Sequence, residues 1–167
     1  MERDLNATLL HLTRVRLLQD YPGQMNACLD VLSDDDLWWR PDERTNAVAN
    51  LVLHLSGSNR YYFDQVIGGR DTGRNRDLEF AARDRYPKAR LLDVWQGALD
   101  VTEEVLNGLG PSRLMETTDR TGKVTTFAQV LLHVTHHNAL HTGQIIWITK
   151  MLHQGALDEA LMRLRTN

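Results

Sequence analysis

Cysteine is nearly absent: Cys28 stands alone, so no intramolecular disulfide can staple the chain, and the expected compartment is a reducing one. A single small hydrophobe of this kind is read as a core residue rather than a catalytic thiol. Long apolar runs are missing too. Nowhere do 18 or more apolar residues follow one another, which argues against a membrane-spanning helix. A basic excess is also lacking, since 19 Lys and Arg stand against 22 Asp and Glu for a net charge of -3. That balance gives no electrostatic footprint for nucleic acid. Arg74, Arg76, Arg83, Arg85, Lys88 and Arg90 do cluster, but Asp71, Asp77, Glu79 and Asp84 are interleaved with them. We read this stretch as a solvated mixed-charge surface. The opening residues Met1 to Asn6 carry acid where a secretion signal would be basic, and no apolar core follows. The expectation is a cytoplasmic protein with neither nucleic acid nor membrane as partner.

What is present is helical periodicity over a length, 167 residues, that suits one domain spanning 1–167. A first helical stretch covers Leu5 to Leu32, interrupted at Tyr21-Pro22-Gly23 as a kink or a division into two. Ser33-Asp34-Asp35-Asp36 caps a single turn ending at Trp38-Trp39-Arg40-Pro41. The next long helix is expected to begin at a Thr45-Asn46 cap and run to Val66, stopped by Gly68-Gly69. Residues 70–86 read as a long connection with at most one short helical turn. Pro87 opens a third helix that ends near Gly108. Residues 114–125 suit a loop or small hairpin. Thr126-Phe127-Ala128-Gln129 is a capping box for a fourth helix reaching about His153, and Leu157 to Leu164 forms a short tail helix. The predicted fold is all-α: a four-helix bundle with a long connection between helices 2 and 3 and a short C-terminal tail helix.

Seven histidines are present, and His133, His136, His137 and His141 lie within nine residues. Phe127, Val130, Val134, His137, His141, Gln144, Ile148 and Met151 recur by three and four, the spacing of a core-facing seam. His137 and His141 therefore fall where apolar residues belong, one helical turn apart, with Cβ atoms about 5–6 Å from each other. Two imidazoles so placed can share a metal ion. Unpaired in a core, each would cost about 1–3 kcal/mol. His133 lies at the edge of the seam and His136 faces outward. A third ligand from another helix points to His54, set in the apolar run Leu51-Val52-Leu53-His54-Leu55. Hydrogen bonding to a backbone carbonyl, Tyr61 or Tyr62 is its alternative.

Other chemistries lack their signatures. There is no Glu-x-x-His, so the paired-carboxylate di-iron pattern is missing. No His-Glu-x-x-His, Gly-rich phosphate loop or Gly-x-Ser-x-Gly elbow occurs either. Three neutral nitrogens suit a divalent transition metal: zinc or nickel first, with iron or copper as alternatives.

A histidine in the second helix followed far downstream by His137-Asn138-Ala139-Leu140-His141-Thr142-Gly143-Gln144 resembles the DinB-like (DinB/YfiT) superfamily of metal-binding four-helix bundles. The similarity is greatest to a branch of unknown function. It is carried by Trp38-Trp39-Arg40-Pro41, the Asn46 to Asn50 helix start, Leu53-His54-Leu55-Ser56-Gly57, Arg76-Asp77-Leu78-Glu79-Phe80 and Gly143 to Lys150. The resemblance spans about Leu32 to Leu152. It implies that His54, His137 and His141 are the metal ligands, and that the metal activates a low-molecular-weight thiol for S-transfer or conjugation.

Two functions follow as expectations. One is a metal-dependent transferase or hydrolase acting on a small molecule or thiol, with an open coordination position and no catalytic side chain assigned. Gln144, Tyr61 and Asn50 are its candidate outer residues. The absence of a glutamate from either metal helix argues against a hydrolase with its own carboxylate base. The other is a non-catalytic, metal-stabilised bundle that binds a small ligand or protein partner. A site closed by Trp38 or Trp39 would favour the second, and a solvent-accessible one the first. A homodimer through Trp95, Trp147 and the tail helix is a further expectation.

Overall fold

The computed structural model describes residues 4–83 and 86–166, with side chains described as far as residue 164. Asp84 and Arg85, part of the mixed-charge stretch, and Met1 to Arg3 of the opening segment lie outside the described residues.

Among the described residues the fold is all-α apart from one small hairpin. Helix α1 (Leu5–Val15) runs through a π-helical turn (Arg16–Asp20) directly into α2 (Tyr21–Val31). Pro22 lacks an N–H and cannot continue a regular ladder; the wider turn ahead of it keeps the helix continuous where the sequence pattern left a kink or a division open. Ser33 caps α3 (Asp34–Trp38) as expected, and the Asp36 side chain returns the bond to complete a capping box. Helix α4 (Val48–Arg60), extended by a second π-helical stretch (Tyr61–Ile67), starts later than the predicted Thr45-Asn46 cap. Thr45 is taken up by the preceding turn, donating to the Asp42 carbonyl at 2.9 Å, and Asn50 Oδ1 accepts the Ala47 N–H at 3.2 Å instead.

Helix α5 (Arg76–Ala81) is the short helical piece of the long connection. Helix α6 (Lys88–Gly108) follows Pro87, and a 3₁₀ turn (Pro111–Met115) leads to the antiparallel pair β1 (Thr117–Thr118) and β2 (Thr125–Thr126). Helix α7 (Phe127–Thr166) opens with the expected reciprocal bonds between Thr126 and Gln129. It breaks at His153, whose φ of -144° and ψ of 51° are non-helical, so residues 154–166 form a separate tail segment.

Helix α4 packs against α5, α6 and α7, and α2 packs along α7. Their apolar faces form two cores. One gathers Met25, Leu29, Leu37, Val52, Leu55, Trp95 and Ile145; the other gathers Leu10, Leu17, Phe63, Val66, Leu106, Val130 and Val134. Between them α4 and α7 contribute buried polar residues: Ser56, Ser58 and Asn59 from one, Asn138 and Thr142 from the other. This polar waist carries the candidate site. Asn59 and Asn138 pair across it, with Asn138 Nδ2 donating to Asn59 Oδ1 at 2.8 Å and the return bond at 3.4 Å.

The predicted seam of α7 holds through Val134 and then departs. The buried face continues through Asn138, Thr142, Ile145 and Thr149, while Gln144 and Met151 are exposed. A strict seven-residue repeat lags a straight helix by about 20° per heptad, so the true inner face moves ahead of it. His137 and His141 consequently stand at the edge of the buried face, half-buried. Trp95, named for a possible dimer face, lies in the core, whereas Trp147 is 63% exposed.

No helix among the described residues is long and apolar enough to cross a membrane. Cys28 is fully buried, and burial, only partly opposed by a hydrogen bond with Thr149, pushes its thiol up to about 11. Because the thiolate is the reactive form, iodoacetamide should leave Cys28 unmodified in the folded protein and alkylate it readily in urea. Equal rates in the two conditions, measured by mass spectrometry, would contradict this burial.

Candidate metal centre

Three histidines from two helices meet at the waist. His54 comes from α4, 4% exposed, and His137 and His141 come from successive turns of α7. Each offers a ring nitrogen, and these atoms lie within 4.8 Å of one another. His54 Nε2 and His137 Nε2 are 3.0 Å apart. The ring centroids are 4.9 Å apart for His54 with either partner and 4.5 Å for His137 with His141. The three could hold a metal ion.

The remaining nitrogens are occupied from behind. His54 Nδ1 lies 2.8 Å from Glu79 Oε2, and His141 Nδ1 lies 2.7 Å from Gln144 Oε1. The Ser58 hydroxyl is 3.5 Å from His137 Nδ1. Burial works against ionising Glu79, but hydrogen bonds from Arg74 and then His54 outweigh it and leave the carboxyl below its ordinary range. An ionised carboxylate only accepts, so His54 Nδ1 carries a proton, and in the neutral ring Nε2 then offers a lone pair. Arg74 Nη2 also lies 3.3 Å from Nδ1. Arginine only donates, and its Nη2 bonds Glu79 Oε2 at the shorter 2.9 Å, so the carboxylate sets the tautomer. His137 Nε2 then either donates to that lone pair or shares a cation with it. Two nitrogens on one tetrahedral zinc, each at about 2.0–2.1 Å, stand roughly 3.3 Å apart. The three imidazole donors, and the 3.0 Å spacing of the His54–His137 pair, fit a nitrogen-binding transition metal.

A cavity of about 530 Å³ opens onto these rings, with Tyr62, Arg74, Arg76, Phe80, His133 and Gln144 among its walls. Neither Trp38 nor Trp39 lines it; Trp38 is buried and donates its Nε1–H to the Tyr86 carbonyl at 3.1 Å. Burial, with His141, His54, His133 and Arg74 close by, pulls the His137 pKa from 6.5 down to about 3. The His141 pKa is also lowered, chiefly by burial and against the Gln144 hydrogen bond. Burial lowers His133 as well, and its Nε2 lies 3.0 Å from the Tyr62 hydroxyl.

Of the outer residues expected from sequence, Gln144 reaches a histidine of the cluster. Tyr61 turns its hydroxyl to the Arg120 carbonyl at 3.1 Å, and the neighbouring Tyr62 lines the cavity instead. Asn50 is fully buried and bonds the backbone of α5. The interleaved charges predict a solvated surface for Glu79 and Arg74, and here the structure differs: their side chains are only 11% and 14% exposed. Alternating charge concealed them, because the pattern of a polar segment does not reveal which of its charges fold inward. His133 is part of the cavity wall, and His136 is exposed.

An all-α protein with a cluster of three histidines able to hold a metal is the class that fold and site define. The chain matches the family described as "Protein of unknown function (DUF1572)" over residues 5–161, and it belongs to that family. No curated protein and no solved structure gives a significant match.

The depressed His137 pKa links the cluster to stability. An unfolded histidine takes up a proton near pH 6.5, whereas His137 in the folded chain does so only near 3. Between those values the unfolded state binds more protons, so stability rises with pH and is lost as pH falls below about 6.5. Chelator-treated protein should have a lower urea midpoint at about pH 5 than at about pH 7, and His137→Gln should shrink the difference. An undiminished difference in the variant would place the pH dependence elsewhere.

Proposed function

We propose that this DUF1572 protein is a DinB-like four-helix bundle and a metal-dependent enzyme, with His54, His137 and His141 as the ligands. The single observation behind this reading is the convergence of three ring nitrogens within 4.8 Å on an open cavity. Their outer nitrogens face Glu79, Ser58 and Gln144, as ligating histidines require. Zinc or nickel suits this set, with iron or copper as alternatives.

A metal bound there would acidify a coordinated thiol or water and so supply a nucleophile at neutral pH. The protein's own residues divide the remaining work. Glu79 and Gln144 hold imidazole tautomers. The Tyr62 hydroxyl, paired with His133, gives the cavity a group that can deliver or accept a proton. Glu79 is an unsuitable general base, since both its oxygens already accept, from Arg74 at 2.7 and 2.9 Å and from His54 at 2.8 Å. Attack by a low-molecular-weight thiol in S-transfer or conjugation needs no such base, which favours it over hydrolysis. The absence of tryptophan over the cavity favours catalysis over a purely structural metal.

Metal analysis by inductively coupled plasma mass spectrometry should find about one equivalent of transition metal per chain, and none in the His54→Ala, His137→Ala, His141→Ala triple variant. No metal in either protein after reloading with zinc and nickel would overturn the reading.

A second reading, a metal-stabilised bundle that binds a partner, has one observation of its own. Leu132, Leu140, Trp147 and Met151 are all more than half exposed and share one face of α7. A second copy of the chain is the partner we propose, in a cytoplasmic homodimer. Trp147→Glu should convert a dimer to a monomer in analytical ultracentrifugation; a wild-type protein that sediments as a monomer would remove this proposal.

A further inference from the structure

We infer that Glu79 is a positioning residue of the metal centre, delivered by α5, and that Gly57 lacks a side chain so that Glu79 can reach His54. The inference rests on the metal reading above and extends it to two residues outside the ligand set.

Glycine inside a helix costs about 1 kcal/mol relative to alanine, so Gly57 within α4 requires a reason. Three residues after His54, it lies on the same face. A Cβ built there would overlap Glu79 Oε1, stand 2.9 Å from the Glu79 carboxyl carbon and 3.3 Å from Arg74 Nε. The space a methyl would occupy is the space the carboxylate uses. From that position Glu79 accepts from His54 Nδ1 at 2.8 Å and is clamped by Arg74 Nε at 2.7 Å.

The rest of α5 is arranged for this delivery. None of its six residues is fully buried, so apolar burial alone does not secure it. Asn50, one turn before His54, donates through Nδ2 to the Glu79 carbonyl at 3.0 Å and to the Ala82 carbonyl at 3.1 Å. Phe80 lies against the His54 ring, centroids 4.4 Å apart, and Arg76 covers Phe80 at 4.8 Å. Asn50, His54 and Gly57 on α4 thus form a seat, and Glu79 and Phe80 on α5 occupy it. A carboxylate on the outer nitrogen of a ligating histidine fixes ring orientation and raises ligand basicity, and its loss typically lowers metal affinity about 10–100-fold.

The test measures zinc affinity by chelator competition, with the cobalt(II) absorption spectrum as a second readout, in wild type, Glu79→Gln, Glu79→Asp and Gly57→Ala. Glu79→Gln and Gly57→Ala should each weaken zinc about 10–100-fold and shift the cobalt bands, with Glu79→Asp recovering part of the loss. The Gly57→Ala, Glu79→Gln double variant should be no weaker than the worse single, because both changes remove one contact. Circular dichroism confirms that each variant is folded; should Glu79→Gln fail to fold, Gly57→Ala and Glu79→Asp carry the comparison. Wild-type affinity in the folded variants, or additive losses in the double, would overturn the inference while leaving the three-histidine site standing. A wild-type protein that retains no zinc would instead overturn the metal reading itself.

Discussion

The register of α4 against α7 is the constraint on which the site depends. Asn59 and Asn138 are both fully buried, and each can satisfy the other's amide only at one offset of the two helices. A buried polar group left without its partner costs about 1–3 kcal/mol, so sliding either helix is opposed at this level. His137 precedes Asn138 directly, and His54 lies five residues before Asn59. The pairing that sets the register therefore also sets where the three imidazoles meet.

The waist explains how a polar site coexists with a stable helical core. Apolar packing is divided into two clusters, one above and one below, and neither includes α4 residues 56–60 or α7 residues 135–144. Burial at the two ends supplies the hydrophobic stabilisation, while the middle is left to hydrogen bonds. The π-helical turn at Arg16–Asp20 carries Leu17 of one cluster, and Met25 of the other follows in α2. Placing the histidines at the rim of the waist leaves their inner nitrogens facing a cavity and their outer nitrogens facing protein.

Charge at the site follows the same division. Glu79 and Arg74 are withdrawn from solvent behind His54, where the carboxylate is useful as an acceptor and unavailable as a base. The cavity side presents the His137 and His141 rings, whose pKa values burial lowers, with the Tyr62 hydroxyl and the Arg74 and Arg76 guanidinium groups in its walls. A burial that costs each ion several kcal/mol alone is offset when one carboxylate serves both a guanidinium and an imidazole.

Local chemistry was sufficient to read much of the chain. Helical periodicity located the long helices, the Thr126–Gln129 capping box marked the start of α7, and Pro87 and Gly108 bracketed α6, because these signals act within a few residues. The three histidines stood out because imidazoles among apolar neighbours conflict with their surroundings. Tertiary structure decided what depends on distant partners. It moved the buried face of α7 onto Asn138, Thr142 and Thr149, since a heptad and a 3.6-residue helix diverge with length. It chose Tyr62 rather than Tyr61 for the cavity, and it turned Glu79 inward from a segment that reads as surface. A sequence reports the periodicity of its own helices, but the inward turn of one charge depends on a gap such as that at Gly57, and the gap exists only once α5 lies on α4.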